Sequence, residues 1–177
     1  SPSRGLGDVY KRQIVWWTLA NVHCVYETRY VEHETIKNKR ALPVLGNCQD
    51  PGAACVSGCE NIAGPDVKLS YPKGLAADYA KQTYYVADTG NERLLSFKWN
   101  DAKSTWKVTV VLAADSENAP ATYITFLPAR EAIFFYSTQD NRVYKVGTTA
   151  NAQPEFVAGN TRIGQHDGMG AEALFTN

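Results

Sequence analysis

Three features of this 177-residue chain predict an all-β fold. Apolar and polar residues alternate with a period of two, as where Trp106, Val108, Val110 and Leu112 interleave with Lys107 and Thr109. Gly, Asn and Pro punctuate the apolar runs at short intervals, the pattern of strands joined by turns. The stretch Leu75–Phe97 recurs as Ile124–Val146 at an offset of 49 residues. Self-similarity at roughly 40–50 residues with four strands per unit indicates a propeller blade or a linear array. The predicted architecture is a partial β-propeller of about three four-stranded antiparallel blades, an incomplete ring.

In chain order, Ser1–Gln13 (SPSRGLGDVYKRQ) is polar, lacks useful periodicity and resembles translated sequencing-adaptor sequence, so it reads as a non-native or disordered leader. Ile14–Tyr30 is rich in Val, Trp and Tyr and predicts two strands around a turn at Leu19-Ala20-Asn21. A charged connector, Glu32–Arg40, leads to a short strand, Ala41–Leu45. The first blade is thus placed at 14–46. Residues 47–67 form a long irregular loop with three of the four cysteines, Cys48, Cys55 and Cys59. The fourth, Cys24, lies in a predicted strand.

The second blade, 72–113, opens on Pro72-Lys73-Gly74-Leu75 and turns at Thr89-Gly90-Asn91, where Gly90 is expected to supply a positive φ. The third, 121–159, matches it at Thr138, Arg142, Val143 and Val146, but carries Ser137 and Gln139 where the second has Asp88 and Gly90. Its turn must therefore close differently. Asn21 is set under Asn91 at an offset of 70. Val157-Ala158-Gly159-Asn160 echoes Val44-Leu45-Gly46-Asn47, and 160–177 reads as the start of a further blade whose next Pro-x-Gly-Leu is expected beyond Asn177.

Charge and composition narrow the function classes. Eighteen basic residues against eighteen acidic ones leave no net charge, so the basic footprint of a polyanion binder is absent and nucleic acid is not the expected partner. The longest apolar runs, such as Val108–Ala114, fall far short of the ~20 residues of a membrane-spanning helix. Cys48-x6-Cys55-x3-Cys59 has no zinc spacing; four cysteines around one loop fit two disulfides and an extracellular or secretory-pathway location. His23, His33 and His166 share no metal-ligand spacing, and no nucleophile elbow, P-loop or dinucleotide fingerprint is present. No catalytic residue, metal site or cofactor is assigned.

The residues Pro72, Gly74, Leu75, Asp78, then Tyr85-Val86-Ala87-Asp88-Thr89-Gly90-Asn91, Arg93 and Phe97 resemble an NHL repeat of the β-propeller type. The approach Gly159…Asp167-Gly168-x-Gly170…Ala173-x-Phe175 is similar to the linker that precedes such a repeat. Asp88, Gly90, Asn91, Arg93 and Arg142 are read as scaffold chemistry that closes blades. The resemblance implies a scaffold that binds a protein or small ligand through loops at one end, with the cysteine loop the best local contact surface. It also implies two alternatives: a propeller enzyme of lyase or hydrolase type, its active site in blades outside this sequence, and an RNA-binding propeller. Mixed charge counts against the last.

Overall fold

In the computed structural model the described residues are 12–19, 23–31, 42–46, 67–113 and 120–175. They form three antiparallel sheets, each a simple up-and-down meander. The first holds β1 (Arg12–Leu19), β2 (Cys24–Val31) and β3 (Leu42–Leu45); the second β4 (Pro72–Asp78), β5 (Thr83–Asp88), β6 (Arg93–Asn100) and β7 (Thr105–Leu112). The third holds β8 (Tyr123–Leu127), β9 (Ala132–Ser137), β10 (Arg142–Gly147) and β11 (Glu155–Gly159). Strand β4 lies against both β1 and β8, so the second sheet stacks side by side with the first and the third. This is part of an all-β propeller, with the ring not closed.

Packing explains why the middle sheet is so legible. Its pleat sends Leu75, Val86, Leu95, Phe97 and Val108 toward Val25, Val44 and Leu45 of the first sheet. The alternate residues Ala76, Tyr85, Ala87 and Leu94 pack on Ile133, Phe135 and Val146 of the third. A sheet covered on both faces needs apolar residues at both phases, so β5 and β6 are nearly continuous apolar runs. At Gly74 the leading strands come so close that a Cβ would lie 2.9 Å from both Ile124 N and Thr122 O. Only glycine fits there.

Each sheet carries a β-bulge at the same place. The register slips between Val25 and Tyr26 against β3, between Leu94 and Leu95 against β7, and between Val143 and Tyr144 against β11. The residue left over is a valine each time: Val44, Val111 and Val157. This corrects the strict alternation expected in β7, because past the bulge Val111 and Leu112 both turn to the core shared with the third sheet. The carbonyls of Val110 and Val111 accept from Asn151 and Ala152 at 3.1 and 2.8 Å, which covers the outer edge of β7.

The left-handed residues give a second reference. His23, Glu92 and Asn141, immediately before β2, β6 and β10, have φ of 54°, 53° and 58°. They set β2 under β6 at an offset of 69, one residue from the expected 70. Strand β1 is then the counterpart of β5, and the first sheet has three strands among the described residues, the two expected in 14–30 and the one at 41–45. Strand β1 also takes in Arg12 and Gln13, the last two residues assigned to the leader.

Candidate binding face

The turns before β2, β6 and β10 and the segments entering β4 and β8 gather at one end of the sheets. Here the motif residues of the second sheet form one cluster. The Asp88 carboxylate is completely buried and accepts from Ser70 N at 2.6 Å, Asn91 Nδ2 at 2.8 Å and Arg93 Nε at 2.7 Å. Arg93 Nη2 donates onward to Lys68 O at 2.8 Å, and Gly90 N to Ser70 O at 2.8 Å. The cluster thus clamps the entering segment 67–71 onto the β5–β6 turn. Burial pushes the Asp88 carboxyl above the ordinary carboxylate range, against the opposing pull of Arg93, Asn91 and the Ser70 N–H.

Gly90 acts differently from expectation. Residues Thr89–Asn91 form a 3₁₀ turn, and the left-handed position is Glu92. Glycine is required at 90 because a Cβ would sit 2.4 Å from Ser70 Oγ and 2.8 Å from Ser70 O. Close approach, not positive φ, selects it.

The third sheet does close by other means, as Ser137 and Gln139 require. The Thr122 and Thr138 hydroxyls meet at 3.1 Å, Thr122 N donates to Tyr136 O at 2.9 Å, and Asn141 N donates to Ser137 O at 3.0 Å. Tyr144 hydroxyl donates to Asp140, and Tyr136 hydroxyl to Asn141 Oδ1 at 2.9 Å. Arg142 keeps the guanidinium without the acid that Arg93 has. Its Nε is buried with no hydrogen-bond partner, its Nη1 stands 3.9 Å from Asp140 Oδ2, and it lies 5.8 Å over the Phe156 ring.

The remaining motif residues lie apart from this cluster. Pro72 opens β4 opposite Asp88, and Leu75 joins the first core. Asp78 is at the opposite end, accepting from Lys81 N at 3.1 Å. Asp167, Gly168 and Gly170 belong to a hook, 160–175, drawn together by bridges Ile163–Phe175 and His166–Leu174. Gln165, His166, Asp167 and Phe175 line an open depression of about 950 Å³ beside it. Among the described residues no group of three His, Cys, Asp or Glu is placed to hold a metal ion.

Two residues not singled out for a role in the sequence connect the first and second sheets at this end. Tyr71 N donates to His23 Nδ1 at 3.0 Å, with the two rings edge to face at 4.7 Å. Nothing in the sequence marks this pair, since neither belongs to the repeated motif. Next to it, Cys24 is fully buried and is not a free thiol. Cys48, Cys55, Cys59, His33 and the cysteine loop lie outside the described residues, apart from Val67, which is buried in the first core.

No family model and no curated protein matches the chain. Among solved structures it is similar to a structural-genomics protein of unknown function from Bacteroides thetaiotaomicron, with a TM-score of 0.56 and 15% identity over 93% of this chain and 34% of that one. A luciferin-regenerating enzyme matches at a TM-score of 0.46 and 8% identity, over 87% of this chain and 49% of that one. The chain spans about a third of the length of the first of these structures. At such identity the likeness is one of fold: a segment of an all-β architecture built from antiparallel sheets.

Proposed function

We propose that the chain is a segment of an NHL-type propeller that serves as a scaffold binding a protein or a small ligand, with no catalysis assigned to its residues. The observation that carries this reading is the burial of the Asp88 cluster. Its carboxylate takes three donors, its guanidinium also holds a main-chain carbonyl, and both side chains are buried, so the most motif-like polar residues hold the backbone out of reach of a substrate. Recognition then falls to what the same end exposes, including Tyr71 at 53% and Tyr123 at 61%.

In this reading 14–177 is one propeller segment with blades at about 14–46, 72–113 and 121–159, and 160–177 begins another. Cys24 is paired with another cysteine of the chain, which fits an oxidising compartment. The test is photo-crosslinking from a benzophenone side chain at Tyr71 or Tyr123, compared with Tyr79 and Trp99 at the opposite end. Adducts confined to the first pair support a recognition face there. Adducts from the second pair alone overturn it.

A further inference from the structure

The His23–Tyr71 contact joins two residues that are both held in an unfavourable backbone region. Their φ angles are 54° and 46°, and neither is glycine. Tyr71 also precedes Pro72, and a residue before proline is driven toward extended conformations. What holds Tyr71 in place is its N–H bond to His23 Nδ1 at 3.0 Å and the ring contact at 4.7 Å. Because Nδ1 accepts, the neutral imidazole carries its proton on Nε2.

We propose that His23 and Tyr71 form a proton-sensitive latch between the first and second sheets, closed while His23 is neutral and opened when its Nδ1 takes up a proton. An imidazolium has two N–H donors and no acceptor, so it faces the Tyr71 N–H donor to donor. The histidine is buried, only 9% exposed, and among the described residues its ring has no other hydrogen-bond partner. Other ionisable groups on the packed elements are Tyr71, Lys68 and Lys73 on the entering segment, Glu27 on β2, and Asp88 behind Ser70. Asp88 is bound by Ser70, Asn91 and Arg93, Glu27 is buried further along β2, and Lys68 and Lys73 are exposed. Opening releases Tyr71 from its left-handed conformation, while Thr18 Oγ1 still donates to Lys73 O at 3.0 Å and keeps β4 against β1. The clamp through Asp88 stays shut, since it does not involve His23.

The test is hydrogen exchange of the Tyr71 amide in the full chain, corrected for the intrinsic pH dependence of exchange. It is measured at about pH 7.5 and about pH 5.5, across the range in which histidine side chains change charge. Protection of Tyr71 is expected to fall about tenfold on acidification, the equivalent of one hydrogen bond. The Gly90 amide, bonded to Ser70 O at 2.8 Å, is expected to hold constant as the internal reference. His23→Asn is the matched variant: asparagine tolerates the left-handed region, stands as Asn141 at the corresponding turn, and offers a non-titrating Oδ1 acceptor. It should keep Tyr71 protected at both pH values. Constant protection in the parent protein overturns the latch, as does an equal fall in H23N or at Gly90. A ring ¹⁵N spectrum near neutral pH gives an independent check, and a proton found on Nδ1 there also overturns it.

Discussion

At the scale of single residues, the second sheet depends on a charge removed from water. Asp88 and Arg93 are 0% and 8% exposed at their side chains, and a buried ion pair gains little over an apolar pair but costs a great deal when broken. Asp88→Ala leaves the Arg93 guanidinium and the Ser70 N–H without their acceptor. The expected loss is roughly 3–5 kcal/mol, read from the urea midpoint. A loss below about 1 kcal/mol would mean that the cluster does not hold the fold and would reopen a ligand role for Asp88. Arg142 is the natural contrast. With Ser137 in place of an acid, its Nε already has no partner, so truncating it removes packing on Phe156 and little else.

At the scale of elements, the recurring bulge decides where valine matters. Val111 is completely buried between the second and third sheets, whereas Val157, at the same point of the third, is 38% exposed. Val111→Ala should therefore cost roughly 2 kcal/mol. Val157→Ala should cost under about 0.5 kcal/mol. Equal losses in parallel denaturant titrations would show that the far face of the third sheet is also covered. The strands themselves were readable from period-two patterning and turn residues, because those depend on neighbours in sequence. The bulge was not, since Val110-Val111-Leu112 reads as ordinary alternation and only the partner strand reveals the extra residue. The role of Gly90 is hidden from the sequence for the same reason: its constraint comes from Ser70, twenty positions earlier in sequence and in contact only through the fold. His23 and Tyr71 meet across two sheets and left no trace in local pattern.

For the molecule as a whole, stacking two cores on one sheet brings tyrosines out of water together. Burial raises the hydroxyl values of Tyr84, Tyr85 and Tyr144 above the ordinary value near 10. For a group whose value is higher folded than unfolded, the stabilising contribution is complete below the unfolded value and is lost as pH rises toward the folded one. Stability is therefore expected to hold up to about pH 10 and to decline above it. An absorbance titration should show part of the tyrosine ionisation delayed until the fold is lost. A single unperturbed titration of all tyrosines, with the fold intact, would contradict the packing described for β5 and β10.

The clamp at Ser70 has a further consequence for how such a chain varies. Each described entering segment fastens to the turn of its own sheet, Ser70 and Lys68 to the β5–β6 turn and Thr122 to the β9–β10 turn. The connector upstream has only to deliver its end to that socket. Residues 47–66 and 114–119 are stretches of very different length leading to sockets of the same kind, and they account for 14 of the 20 residues by which the spacings of corresponding positions, 69 and 49, differ. Spacing between units thus varies while the turn that receives each described entering segment is kept. Insertions and deletions can accumulate between the sheets without disturbing register, and a search for constant periodicity will under-count units that the structure superimposes at their turns.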